Sequence, residues 1–301
     1  MDMEVFAGKV CTAVEKELGS EFRAEVSKVR KNNGILLHGL LISSKGQTVV
    51  PTIYLERFLE AYESGMPFKE VVDRVLSAYR ESGHEGCTDM EFFRSFENVR
   101  DRICYRLIGR KGNGELLKEI PYIEFLDLAV CFYYSYHGEI LGDGTILIHN
   151  SHMEMWKTNT AELFGLAERN TRRLFPWECR GLDEVLTEMA DSGEGAGAED
   201  PGEVFCKIPM RVLTNSKRVH GAACILYPGV LDEVAQETGG SFFILPSSVH
   251  EVIILPDAGN GDGERLKEII RMVNTTQVAP EEVLSDTLYR YDTAEKMVVM
   301  V

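Results

Sequence analysis

Residues 239–257 read GGSFFILPSSVHEVIILPD, two apolar runs either side of a polar break that holds Pro246, Ser247, Ser248, His250 and Glu251. Short runs of β-branched and aromatic residues bounded by Gly, Pro and Ser read as strands, so the stretch predicts a hairpin with strands at 241–246 and 249–255. Pro-Ser-Ser is ordinary turn material for its tip. The same residue types could serve a hydrolase. For that, Ser247 or Ser248 would need a base within hydrogen-bond reach, an acid to orient the base and an oxyanion hole. On a strand beginning at 249, Ser248 and His250 project to one side about 7 Å apart, while Glu251 points to the other face and cannot orient the imidazole. No Gly-x-Ser-x-Gly elbow surrounds the serines. Turn formation explains the stretch more economically, and Ser247, Ser248 and His250 stand as the catalytic alternative.

Outward from this hairpin, the order is strand 208–214, strand 220–227, helix 228–238, the hairpin, helix 263–275 and a final hairpin around 287–301. Val230, Leu231, Val234 and Ala235 stripe the first helix, and Leu266, Ile269, Ile270 and Val273 the second. Strand pairs alternating with single helices predict an α+β fold: antiparallel-rich sheets with helices packed on them, and one such sheet for residues 205–301. Residues 191–204, DSGEGAGAEDPGEV, combine five acids with four glycines and predict an exposed linker or loop. Before it, segment 86–190 is expected to hold a helix near 89–98 and strands near 102–108 and 128–137. TILIHN partners the latter strand, and helices follow near 151–157, 159–174 and 181–190. Segment 1–85 reads α-β-β-β-α-α. Asn33-Gly34 is a tight-turn dipeptide, QTVV a third strand, and Pro51-Thr52 the break that starts the next helix. The helical stripes are Phe6, Val10 and Val14, then Leu55, Phe58, Leu59 and Tyr62, then Val71, Val72, Val75, Leu76 and Tyr79.

Composition narrows the partners. The 301 residues carry a formal charge of -16, a field that repels phosphate backbones and anionic headgroups, so neither nucleic acid nor membrane is expected. The basic groups Arg169, Arg172, Arg173 and Lys207, Arg211, Lys217, Arg218 read as solvated faces. FLDLAVCFYYSY is about half the roughly 20 residues of a membrane span and reads as a buried strand. Seven scattered cysteines with no Cys-x-x-Cys pair, and no export signal at the start, predict reduced thiols and a cytoplasmic location.

Two further motifs suggest chemistry. HNSHMEMW places His149 and His152 at i, i+3, where Glu154 or His137 would complete a metal site. A zinc hydrolase has a glutamate between its histidines, whereas here Asn150 and Ser151 stand there, as helix-capping residues would. LIGRKGNGELL, with Gly112-Asn113-Gly114, follows neither the Walker nor the dinucleotide glycine order and reads as a turn. Glu281 and Glu282 after Pro280 suit a helix first turn. No cofactor is expected.

GLLISSKGQTVVPTIYLERFLEAYESG, RLFPWE, LPSSVHEVIILPD and VAPEEVLSDTLYRYD together resemble an uncharacterised bacterial family of unknown function, number 5688, over nearly the whole chain. The element order at the two ends resembles a second such group, number 1444, more distantly. Neither resemblance implies an activity or site residues. The leading expectation is a non-catalytic binding or scaffolding protein, with a protein partner ahead of a small molecule. One alternative is a hydrolase using Ser247, Ser248 and His250 or the histidines near 149; another is an accessory protein of a mobile-element or defence system.

Overall fold

A computed structural model describes residues 1–44, 52–81, 90–138, 142–185, 188, 210–257, 259 and 263–301. The strand expected at 47–50, the segment 191–204, Cys87, Cys206, Lys207 and the side chain of His137 lie outside the described residues.

Helix α1 (Met3–Leu18) starts at Asp2, whose carboxylate accepts from the Glu4 N–H at 2.9 Å, and it buries Phe6, Ala7, Val10 and Val14. Strands β1 (Phe22–Arg30) and β2 (Leu36–Ser44) pair antiparallel along their length. Between them Asn33 and Gly34 take φ of 59° and 71°, the conformation their types tolerate. The chain after Pro51 does not enter a helix as expected. Thr52–Tyr54 forms β3 on the free edge of β2, because two β-branched residues and an aromatic suit a pleated edge and Ile53 is buried there. Helices α2 (Glu56–Glu63) and α3 (Phe68–Glu81) then close a core of Phe6, Val10, Leu40, Leu55, Phe58 and Val75.

The expected helix near 89–98 breaks at Ser95 into α4 (Met90–Arg94) and α5 (Phe96–Val99). Strand β4 (Ile103–Gly109), helix α6 (Gly114–Glu119) and strands β5 (Tyr122–Phe125), β6 (Leu128–Gly138) and β7 (Gly142–Leu147) follow. β6 pairs with β4 on one side, and with β5 and then β7 on the other. Helices α7 (Asn150–Trp156) and α8 (Thr160–Leu174) come next, and α8 buries Leu163, Leu166 and Ala167.

The third sheet has six strands in the order β13-β12-β10-β11-β9-β8, each neighbouring pair antiparallel. They are β8 (Trp177–Gly181), β9 (Arg211–Asn215), β10 (Phe242–Leu245), β11 (Val252–Pro256), β12 (Tyr289–Asp292) and β13 (Met297–Met300). Helix α9 (Val230–Thr238) buries Val230, Leu231, Val234 and Ala235 in a core shared with the central sheet; α10 (Gly263–Thr276) covers Phe243, Leu255 and Leu288 on the other face. The fold is therefore α+β with three antiparallel sheets.

The strand expected at 220–227 is instead a 3-10 helix, Gly221–Leu226. Its small residues Gly221, Ala222 and Ala223 let the backbone press onto β9, and a Cβ at position 221 would overlap Thr214 and lie 2.8 Å from the Asn215 nitrogen. The 246–251 connection is also not a free tip. Segment 282–285 pairs with it through Val249 N–H to Glu282 O at 2.8 Å and Ser285 N–H to Pro246 O at 3.1 Å, so β11 begins at Val252 rather than 249.

Candidate functional site

β4 is apolar except for one residue. Ile103, Tyr105 and Leu107 face the shared core, and Cys104, Arg106 and Ile108 face the opposite side; only Arg106 is not fully buried. Its cross-strand neighbour on β6 is Cys131, with Tyr133 two residues further along.

The turn 215–221 lies over this face, and its conformation is built by Asn215. The Asn215 Oδ1 accepts from the Lys217 and Val219 N–H groups at 3.1 and 3.4 Å, and its Nδ2 donates to the Val219 carbonyl at 2.8 Å. Arg218 and His220 are thereby held at φ of 52° and 55°, a region that costs non-glycine residues on the order of 1–3 kcal/mol each. The close approach of Gly221 to β9 fixes the next step of the chain.

This turn aims His220 into the junction. Arg106 Nη1 donates to His220 Nε2 at 3.5 Å, the His220 ring lies 5.4 Å from the Tyr133 ring, and it stacks on His250 at 5.7 Å with 10° between planes. The His220 backbone N–H donates to His250 Nδ1 at 3.3 Å. The neutral form of His250 therefore carries its proton on Nε2, which faces Glu282 Oε1 at 3.6 Å. From the N-terminal unit comes Lys31, its ammonium 4.1 Å from the Tyr54 ring centroid. Beside Tyr54 a cavity of about 390 Å³ is lined by Leu37, Thr52, Glu56, Arg57 and Glu281.

Burial, with the charges of Arg106, His250 and Lys31, holds His220 well below the usual imidazole pKa, so His220 is neutral at pH 7. Burial also pulls the Arg106 pKa down, but a guanidinium stays protonated in proteins. Among the described residues no carboxylate pairs with Arg106. Its Nε and the His220 Nδ1 are buried without hydrogen-bond partners.

The candidates read from sequence lie partly here. His250 belongs to the junction; the serines do not. Ser248, 5% exposed, uses its Oγ to accept from the His250 backbone N–H at 3.0 Å and engages Glu251, whose carboxyl burial pushes up. Ser247 offers its carbonyl to the Leu284 N–H at 3.2 Å. Among the described residues neither serine hydroxyl hydrogen-bonds the His250 ring. His149 and His152 sit at the start of α7, where the His149 N–H donates to His152 Nδ1 at 3.1 Å and the His152 ring packs between Phe93 and Trp156. Burial lowers the His152 pKa. The cap position is His149, not Asn150 or Ser151, and Asn150 donates instead to the Lys118 carbonyl at 3.0 Å. No group of three or more metal-ligating side chains occurs among the described residues.

The Gly112-Asn113-Gly114 turn is the clasp that sets the junction. Asn113, 1% exposed, donates to the Gly109 carbonyl and to Asn32 Oδ1, both at 2.7 Å, and accepts from the Asn33 N–H at 2.9 Å. Asn32 and Asn33 then donate to the carbonyls of Glu281 and Pro280 at 2.9 and 2.8 Å. Lys31 and Glu282 are placed by these contacts. The sequence signals for the cluster were a lone arginine in ICYRLIG and the basic run SKRVHG.

An α+β protein with a donor-rich junction between its cores is the class that fold and site define. The chain belongs to DUF5688, a family of unknown function whose model matches residues 3–293. No curated protein and no solved structure matches it.

Proposed function

We propose that this is a non-catalytic binding protein that takes an anionic ligand at the junction of Arg106, His220, His250 and Lys31. The observation that carries this reading is Arg106: a half-buried arginine whose Nε is fully buried, with no carboxylate partner among the described residues, in a chain whose formal charge is -16. Removing a cation from water costs several kcal/mol unless an anion or hydrogen-bond acceptors compensate. Of the acidic side chains in the described residues none is spent on Arg106, and a partner from outside accounts for that. Catalysis is disfavoured by the engagement of Ser248 with Glu251 and a backbone amide; among the described residues neither Ser247 nor Ser248 hydrogen-bonds an imidazole.

The test is a thermal-shift and calorimetric screen of anionic, neutral and cationic compounds against the wild-type chain and Arg106→Met. Anions should dominate the stabilising compounds, and the variant should lose them. Stabilisation by cations alone, or anion binding unchanged in the variant, would refute the proposal.

A further inference from the structure

The shape of the free donors narrows the ligand class, and this step rests on the binding reading above. We infer that the group received at Arg106 is a carboxylate, held side-on by the Nε and Nη2 edge of the guanidinium, the edge turned away from His220. Nη1 is the nitrogen committed to His220, at 3.5 Å. Nε, on the opposite edge, is buried without a partner, and it shares that edge with Nη2. Two parallel N–H groups on one edge of a planar guanidinium match the two oxygens of a carboxylate.

Charge favours the same class. Arg106 supplies one permanent positive charge at this point and the ammonium of Lys31 is held over Tyr54, while His250 has Glu282 beside it. A singly charged anion balances one guanidinium. A phosphate dianion would bring a larger desolvation cost, since the Born term grows with the square of the charge. A free small acid and a peptide chain end share this chemistry.

The experiment is an NMR titration of the full chain that follows the histidine ring nitrogens, using sodium acetate, sodium phosphate, sodium chloride as ionic-strength control, and a short peptide with either a free or an amidated C-terminus. Acetate or the free-ended peptide should shift the His220 ring signals saturably, and whichever does so identifies the source. Arg106→Met should weaken that response at least about tenfold, and Arg106→Lys, which keeps the charge but loses the fork, should weaken it too. Saturable shifts with phosphate and none with either carboxylate would overturn the carboxylate inference and leave the binding reading standing. No shift beyond chloride with any anion would overturn both. The wild-type comparison decides between these results even if a variant fails to fold.

Discussion

Arg106 and His220 carry the sharpest consequences at the scale of single residues. An unpaired buried cation destabilises the chain that holds it, so replacing it by an apolar side chain of similar length should not weaken the fold. Arg106→Met is expected to be neutral or stabilising, by about 1–2 kcal/mol in urea unfolding, while abolishing anion binding. A clear loss of stability would mean that the guanidinium is a structural strut. His220 sets a pH dependence of definite sign. Its folded pKa lies well below its ordinary value of 6.5, so on acidification the unfolded chain takes up the proton first. The contribution of His220 is therefore full above about pH 6.5 and declines as pH falls from there toward the folded pKa. Thermal unfolding between pH 8 and 5 should show this slope, and His220→Gln should flatten it. The double variant Ser247→Ala, Ser248→Ala should lose only about 1 kcal/mol, the Ser248 acceptor in its turn, and a fluorophosphonate probe should label neither serine in the wild type. Residue types were readable in the sequence, their partners less so. His250 stood out beside two serines, but the ring it stacks on comes from thirty residues away, through a left-handed turn that no apolar periodicity announces.

Among the elements, β6 and β12 are joined by an unusual connection. Asp127, in the turn before β6, accepts hydroxyl hydrogen bonds from Ser285 at 2.6 Å, Thr287 at 2.8 Å and Tyr289, so one carboxylate holds the segment leading into β12 and its first residue. Asp127→Ala would leave three hydroxyls without their acceptor and should cost about 3 kcal/mol, read as a lower urea midpoint with an unchanged slope. A change below 0.5 kcal/mol, within the range of an ordinary surface substitution, would show that the hydroxyls find other partners. At this scale the sequence was most legible where periodicity ran long: α1, α3, β6 and the α9 stripe stand where the spacing put them, while of the α10 stripe Ile270 is buried, Leu266 packs beside it, and Ile269 and Val273 are only half-buried. It misled where an apolar run was short. GAACIL carries no period that separates a strand from a helical turn, and the packing of Gly221 on β9 decided the outcome.

The whole molecule rests on two large apolar cores linked by polar contacts. One core belongs to α1, β2, α2 and α3; the other spans the central and six-stranded sheets. Asn32, Asn33 and Asn113 link them by hydrogen bonds rather than by apolar area. Asn113→Ala should therefore loosen the attachment of the N-terminal unit more than it unfolds either core. Hydrogen exchange would detect this as faster exchange around residues 31–35 and 280–285, with the amides of β6 unchanged. The α+β class followed from hairpins alternating with single helices, but the sheet order did not, since nothing local to WECRG indicates that it pairs with RVLTN. That order has a consequence for synthesis. The chain emerges vectorially from the ribosome, so the strand β8, and the part of the β4 and β6 core face that α8 leaves uncovered, appear before the residues at 211–291 that cover or pair with them. At ~5–20 residues per second the delay is on the order of ten seconds, during which an apolar sheet face stands open to chaperones, to neighbouring nascent chains and to the protease that a stalled polypeptide meets.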